Sequence, residues 1–454
     1  MISMPVMILS FLLAITILVA VHEFGHFWVA RRMGVKVLRF SIGFGKPLLR
    51  WRRKGDDTEY VIAAIPLGGY VKMLDEREGE VAEADLHQAF NRKPLGARMA
   101  VVIAGPLFNF LFAIVAFWLM FMVGVSDVRP VIGKVTPESP AAAAGLKQGE
   151  EIVAVNGKPT PVWQVVMDGL APAMLERQLV ELTVRGDGRE RVVQVDMTLA
   201  TTDEDSEDFF ATFGAWPAYR TMPPKVMQVL SGSPAEEAGM QVGDQILEID
   251  GRAIPSAQAL VDYVSPRAGQ RLQFLVRRGE EGEMVQLVIT PQAAEVDGRT
   301  VGRIGVAPLD REIPDELRTD YHFGIGEAFL RANAEVWNKT AFILHVFYKM
   351  VAGDISLNKL SGPITIARYA GISVRGGFSR FMQFLALVSI SLGVINLFPI
   401  PVLDGGHLLF YIVEGIRGKP VSERTEFIGQ QVGIVLILML MLVAFYNDIL
   451  RLLN

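Results

Sequence analysis

Four stretches of this 454-residue chain are apolar for long enough to cross a lipid bilayer as helices. The first has no ionisable side chain, and it lacks the basic start and the small-residue cleavage site of a secretory signal. We therefore expect it to remain attached as a helix. The pattern predicts a polytopic α-helical membrane protein with four transmembrane helices, at Met1–Val21, Met99–Val125, Phe381–Leu403 and Phe427–Asn447.

The basic residues predict how these helices are oriented. Between Arg31 and Lys54 there are nine Lys or Arg and no acid, which predicts a cytoplasmic segment. The loop before the fourth helix is also basic and should lie on the same side. Both termini and the long region from Ser126 to Arg380 are then expected outside. The three basic residues of that loop are Arg417, Lys419 and Arg424.

Composition narrows the class of protein. A hydrophobic content of 51% with 20% charged residues is typical of a membrane protein with water-exposed parts. The net charge of −5 argues against a nucleic-acid partner. Because the chain has no cysteine, it can form neither disulfides nor thiolate metal sites. Any metal must be held by histidines and carboxylates.

A repeat runs through the long outer region. Residues 135–157 match residues 229–251 in register, each with a Ser-Pro helix start, a glycine helix end and an Asn-Gly or Asp-Gly turn. A period this long indicates two copies of a domain. Each copy resembles the PDZ fold in its permuted arrangement. Such domains accept a peptide C-terminus as an added strand, although a steric cap without a ligand fits the pattern as well.

The sequence His22-Glu23-Phe24-Gly25-His26 is an HExxH motif at the end of the first apolar stretch. Residues i and i+4 share a helix face, so His22 and His26 can bind one metal ion from the same side. Glu23 can reach a metal-bound water as general base. Polar groups at bilayer depth are costly unless a partner compensates them, and a bound cation would do so.

A third ligand is expected from the third apolar stretch. Pro399 and Pro401 break its helix, and the lone acid Asp404 follows, with two glycines after it. Two imidazoles, one carboxylate and a water form a catalytic zinc site. His407 lies three residues further on and is a candidate either for coordination or for lining the site.

These motifs together resemble the site-2 protease family of intramembrane metalloproteases. The resemblance implies one zinc ion per chain on His22, His26 and Asp404, with Glu23 as catalytic base. It implies a membrane-dipping β-hairpin from the glycine-rich segments after the first helix, and a motif in the second helix that faces the site. The substrate-binding residues it implies are Asn396, Gly43, Phe44, Gly45, Gly68, Gly69, Pro399, Pro401 and Asn109.

The resemblance also implies a function. We expect a zinc endopeptidase of the bacterial inner membrane that cleaves single-span membrane proteins in regulated intramembrane proteolysis and the envelope stress response. The implied substrates are an anti-sigma factor already trimmed outside and remnant signal peptides. The alternative is a non-enzymatic PDZ-bearing membrane receptor with a structural metal site, which would have no need of Glu23. A zinc transporter is disfavoured, since no second site lies along a path.

The predicted domain organisation follows from these elements, with the PDZ domains and both termini in the periplasm. Transmembrane helix 1 with HExxH covers residues 1–30. The cytoplasmic or membrane-dipping β segment covers residues 31–97, and transmembrane helix 2 covers residues 98–125. The PDZ domains cover 126–220 and 221–310, and a helical region that is either interfacial or packed under them covers 311–378. Transmembrane helix 3 covers 379–415, a cytoplasmic loop 416–426 and transmembrane helix 4 427–450.

Overall fold

The computed structural model describes residues 4–200, 209–279, 282–296, 299–354, 356 and 361–453. The chain divides into two compact units. One, the inserted unit, is Ser126–Asp320. The other, the helical unit, contains the described residues before and after it.

The helical unit begins with two long helices and a β-hairpin between them. Residues 39–42 of the first strand pair with 69–72 on one side and with 59–62 on the other, and 59–62 also pair with 49–52. The bent hairpin therefore has four paired segments side by side. The elements are α1 (Met4–Arg32), β1 (Val37–Arg52), β2 (Glu59–Met73) and α2 (Leu95–Val123), with 3-10 turns at Glu83–Gln88 and Phe90–Arg92.

The inserted unit shows the repeat as two sheets that pair their strands in the same way over residues 151–196 and 245–289, each beside a separate apolar core. The second sheet has two further strands, within residues 220–229 and 306–312. Its first part contains β3 (Val125–Val128), β4 (Ile132–Val135), α3 (Pro140–Ala143), β5 (Glu151–Val155), β6 (Lys158–Pro159), α4 (Trp163–Glu176), β7 (Leu179–Gly186), β8 (Arg189–Asp196), α5 (Phe209–Phe213) and β9 (Ala215–Pro217). Its second part contains β10 (Arg220–Val229), α6 (Pro234–Glu237), β11 (Gln245–Ile249), β12 (Arg252–Ala253), α7 (Ala257–Val264), β13 (Leu272–Arg278), β14 (Glu283–Ile289), β15 (Gln292–Val296), β16 (Arg299–Arg303), β17 (Val306–Glu312) and β18 (Arg318–Tyr321).

Local sequence explains why the two halves of the inserted unit match. Ser139 caps α3 by accepting a hydrogen bond from the amide of Ala142 at 3.2 Å, and Ser233 caps α6 in the same way from Glu236 at 3.4 Å. A proline follows each cap at the first helical position, where its missing amide hydrogen is not needed. The predicted helix starts are thus present in both copies.

The helical unit resumes with α8 (Ile325–Ala352), α9 (Pro363–Arg375), α10 (Phe378–Asn396), α11 (Asp404–Arg417) and α12 (Glu423–Leu453). Within the described residues, four helices are long and apolar enough to span a membrane: α1, α2, α10 and α12. This confirms the four predicted helices. The third apolar stretch is divided, however, because α10 ends at Asn396 and a new helix begins at Asp404.

Small residues let the helices α2, α8 and α10 approach closely. Ala113, Ala116, Ala328, Ala332 and Ala386 are buried in one cluster. Helix association in membranes depends on this kind of close packing. α1 joins through Ala14 and Leu18, which pack against Leu385 of α10. The helices that carry the motifs therefore form one packed bundle.

Candidate metal centre

His22 and His26 lie on one face of α1, as their spacing predicts. Their rings meet edge to face with centroids 4.8 Å apart, and their Nε2 atoms are 3.2 Å apart. Both side chains are largely buried. Two nitrogens this close, both turned to one point, need an atom between them to compensate their lone pairs.

Asp404, the first residue of α11, completes the cluster. Its Oδ2 is 3.2 Å from Nε2 of His22 and 3.5 Å from Nε2 of His26. These three are the metal-ligand group found among the described residues. His407 is not part of it. The structure thus brings together the three predicted ligands from the two ends of the chain.

The outer nitrogens of the imidazoles fix which atoms face the cluster. Nδ1 of His26 lies 2.8 Å from the carbonyl of Val101, to which it donates. Nδ1 of His22 lies 3.2 Å from the side-chain amide of Asn109, whose Oδ1 is buried without a hydrogen-bond partner. With that amide turned over, Oδ1 accepts from Nδ1 of His22. Both Nε2 lone pairs then point at Asp404.

These donors fit a zinc ion. Oδ2 of Asp404 is itself buried without a hydrogen-bond partner, and buried lone pairs in this state are destabilising. Two ligands on a tetrahedral zinc with bonds of about 2.0–2.1 Å are separated by about 3.3 Å. The observed separations of 3.2, 3.2 and 3.5 Å agree with this value. Three protein ligands leave the fourth position open.

Glycines give the site its space. A Cβ at Gly105 of α2 would overlap Nε2 of His26, and a Cβ at Gly25 would overlap the carbonyl of Ala104. A Cβ at Gly69 of β2 would come within 3.0 Å of Cγ of Glu23. Each glycine thus lets backbone pass where a side chain would collide. The hairpin reaches the HExxH helix at Glu23 for this reason.

The other hairpin residues singled out from the sequence lie close together on the two strands of the hairpin. Gly43, Gly45 and Gly68 have φ values of 90°, 87° and 126°, which favour glycine. The ring of Phe44 stacks on Tyr70 with centroids 6.2 Å apart, and a Cβ at Gly68 would overlap that ring. Phe44 is 43% exposed, so it is available to a partner.

The loop between α10 and α11 places Asp404. Val402 has φ 138°, a strained value for a β-branched residue. Pro399 is exposed and Pro401 is half-buried. A Cβ at Gly433 of α12 would overlap the carbonyl of Pro401, so α12 supports the loop. Asn396 ends α10, and its side chain makes no hydrogen bond in the described part of the chain.

Comparison with known proteins identifies the family. Residues 10–440 match Peptidase family M50. The chain belongs to this family. It is 43% identical over 445 residues to the Regulator of sigma E protease of Salmonella typhi and 42% identical over 445 residues to RseP of Escherichia coli (strain K12). It is 43% identical over 449 residues to a putative zinc metalloprotease of Vibrio cholerae serotype O1. Each alignment covers 98% of both chains.

A search of solved structures finds PDZ domains. That of an SdrC-like protein from Listeria monocytogenes is 28% identical, with a TM-score of 0.18, and covers 23% of this chain and 97% of that one.

As an M50 peptidase, the chain is an intramembrane zinc metalloprotease with several membrane-spanning helices. The hypothesis of a non-enzymatic receptor is therefore wrong.

The sequence pattern did not show which groups support the metal ligands. Arg98 of α2 pairs with Glu414 of α11 at 2.5 Å, and its guanidinium lies over the ring of Tyr411. This pair fixes the helix that begins with Asp404, but its members are 316 residues apart and have no local signature.

Proposed function

We propose that His22, His26 and Asp404 hold one zinc ion and that Glu23 is the general base of peptide-bond hydrolysis. The convergence of three largely buried ligand atoms on one point, with Oδ2 of Asp404 buried without a hydrogen-bond partner, supports this most strongly. A zinc ion held by these residues would supply Lewis-acid chemistry to a water molecule and to the scissile carbonyl. Glu23 would take a proton from the attacking water and deliver it to the leaving amine.

Asn109 has a different role in this proposal from the one suggested by the resemblance. Its side chain is fully buried against His22 and cannot meet a substrate. We assign it to the orientation of His22, with Ser389 holding its backbone carbonyl at 2.8 Å. Asn396 remains our candidate for binding substrate backbone, because it is half-buried at the end of α10 with no partner of its own in the described residues.

The substrate must be unwound before it can be cut, since a helix hides its carbonyls in internal hydrogen bonds. Among the described residues, the segment 69–72 of β2 pairs with 39–42 alone, and we take its other edge as open for an added strand. Gly69 lies against Glu23. We propose that substrate adds to this edge beside Gly68 and Gly69. The turn of Gly43, Phe44 and Gly45 and the loop of Pro399 and Pro401 would border the bound segment.

The proposal also covers the inserted unit and the side of the membrane on which it lies. We infer that residues 126–220 and 221–310 are two PDZ domains in the periplasm, and that both termini lie on that side. The proposal rests on the repeat, on the two matching sheets and on the basic segment 31–54. The physiological substrate would be an anti-sigma factor trimmed outside, in keeping with the relatives named as regulators of sigma-E, and signal-peptide remnants are a second class.

The first prediction separates catalysis from metal binding. Glu23→Gln should retain about one zinc per chain and lose cleavage by roughly three orders of magnitude or more, because the base is lost while the ligands stay. The measurements are elemental analysis of purified protein and proteolysis of a single-span reporter in bilayers. His22→Ala, the matched variant, should lose the metal as well. Unchanged proteolysis by the Gln variant would refute the assignment.

A further inference from the structure

One end of the hairpin is exposed with no function assigned to it. Residues 46–55, here called the hairpin tip, are exposed throughout. In the part of the chain that the structure describes, the segment 49–52 pairs with 59–62 alone, so it is an edge of the sheet. Leu48 and Leu49 are 72% and 55% exposed and Trp51 is 43% exposed. An uncovered apolar edge of this kind indicates an interaction surface.

The hairpin tip is also strongly basic. In the described residues its five cations form no ion pair and no side-chain hydrogen bond: Lys46, Arg50, Arg52, Arg53 and Lys54. Acidic residues follow directly after the tip, but they form ion pairs with cations that lie outside the tip. Arg31 pairs with Asp56 at 2.7 Å, Lys36 with Asp57 at 3.1 Å and Arg39 with Glu59 at 2.7 Å. The positive charge of the tip therefore has no internal counterpart.

Apolar and basic side chains alternate along this edge. From residue 49 to 52 the pairing with 62–59 is regular, so Leu49 and Trp51 point to one face and Arg50 and Arg52 to the other. The Trp51 ring stacks on Tyr60 with centroids 5.6 Å apart. A tryptophan and leucines beside arginines and lysines suit the boundary between acyl chains and headgroups.

The end of α1 extends the same surface. Phe27, Trp28, Arg31 and Arg32 line a cleft of about 320 Å³. The guanidinium of Arg32 lies 4.8 Å from the ring centroid of Trp28. Arg31 links this cleft to the turn of the hairpin through Asp56. Arg32 offers a second cation beside aromatic surface, which again suits a phosphate at the membrane boundary.

We propose that the hairpin tip and this cleft bind the headgroups of anionic phospholipids. Charge complementarity favours this occupant, since each cation near an anionic membrane surface strengthens binding by about fivefold. The exposed Leu48, Leu49 and Trp51 favour a bilayer over a soluble anion. Lipid binding would fix the depth of the hairpin relative to the membrane surface. The same hairpin lies beside Glu23 at Gly69.

The chain contains no cysteine, so a single introduced one can be labelled uniquely. Leu48→Cys carrying an environment-sensitive fluorophore is placed in full-length protein in bilayers of phosphatidylcholine with increasing phosphatidylglycerol. We expect emission to shift to the blue as phosphatidylglycerol rises, and salt to weaken the shift. Neutralising Arg50, Arg52, Arg53 and Lys54 to Gln should move the midpoint to a several-fold higher phosphatidylglycerol fraction.

Two further variants distinguish lipid binding from a general effect of charge or folding. Changing the three tip arginines to Lys keeps the charge and should keep the shift. Neutralising four exposed cations of the inserted unit, Lys158, Arg189, Lys225 and Arg271, should leave it unchanged. The proposal is overturned if emission is equal in both lipids, or if both neutralised variants lose the shift equally. It is also overturned if the tip responds only to an added acidic peptide, which would make the partner a protein segment.

Discussion

At the scale of single residues, absent side chains shape the site as much as present ones. The imidazoles of His22 and His26 occupy the volume that a side chain at residue 105 would fill. Asn109 and the carbonyl of Val101 then hold the outer nitrogens. The HExxH spacing predicts the shared face, but it does not show what lies opposite. The family resemblance pointed to a motif in the second helix, but it assigned Asn109 to substrate binding and not to the support of His22.

Gly105→Ala tests this role. The added methyl overlaps Nε2 of His26, so we expect metal retention against a chelator to fall at least about tenfold, as for other supporting groups around a metal. Gly96→Ala in the same helix is the control, because among the described residues nothing beyond its own stretch of helix lies within 4 Å of its Cβ position. It should retain metal like the wild type. Equal retention in both variants would contradict the proposed fit.

At the scale of elements, buried acids join segments that are distant in the chain. Asp448 of α12 is 1% exposed and accepts hydrogen bonds from the amides of Gly362, Ile364 and Thr365 at 3.0, 2.8 and 3.1 Å. It therefore caps the first turn of α9, where free amides and the helix dipole favour a negative charge. The apolar pattern predicted α12 as a span, but it gave no sign of this contact.

Asp448→Asn removes the charge and keeps the shape. We expect the free energy of opening the start of α9 to fall by about 1–3 kcal/mol, because charge-assisted hydrogen bonds to buried amides are lost. Hydrogen exchange of peptides covering 361–375 measures this. Asp354→Asn, which alters an exposed pair with Lys349, should change little. Unaltered exchange at α9 would show that the cap does not hold the helix.

The two halves of the inserted unit contain the same ion pair from different strands. Glu150 pairs with Arg191 at 2.9 Å, and Asp244 pairs with Arg278 at 2.7 Å. Each arginine also donates to the carbonyl of the glycine that ends the short helix. The acids occur at matching positions of the repeat, but their partners do not. Only the folded sheets show that the arrangement is equivalent.

The pH dependence of this pair follows from its surroundings. Burial raises the pKa of Glu150, but the hydrogen bonds from Arg191 and the Lys147 amide outweigh it, so the pKa lies below its usual 4.5. The stabilisation is then complete above pH 4.5 and is lost as pH falls through the lower value. At pH 7, Glu150→Gln should lower the opening free energy of residues 146–196, measured by hydrogen exchange, by about 1–3 kcal/mol. It should also reduce the difference in this opening free energy between pH 7 and pH 3. The exposed Glu190→Gln should do neither.

At the scale of the whole molecule, an intramembrane protease carries a large insertion, Ser126–Asp320. We proposed that this insertion lies in the periplasm. A domain in that place can exclude substrates by size. The active site then needs no specificity of its own for the trimmed state.

Deleting Val131–Pro308 tests the size filter. We expect the deleted protein to cleave an anti-sigma factor whose outer domain is still attached, because the steric block is gone. Proteolysis of trimmed and untrimmed reporters, compared in the same bilayers, measures it. A shortened reporter should be cut equally with and without the insertion. A continued requirement for trimming would contradict the filter.

The sequence by itself determined the features that depend on neighbouring residues. Apolar runs predicted four spanning helices, the i,i+4 histidines predicted a shared face, and the Ser-Pro starts predicted matched helices in the repeat. The lone acid after the third apolar stretch also predicted that Asp404 would join the two imidazoles, and the structure places it there. Only the tertiary structure decided which other distant groups meet. The pair of Arg98 with Glu414 and the cap of α9 by Asp448 are contacts across the chain. Helix packing and the need to pair buried charges determine these partners. Neither of them changes the local pattern of apolar and polar residues.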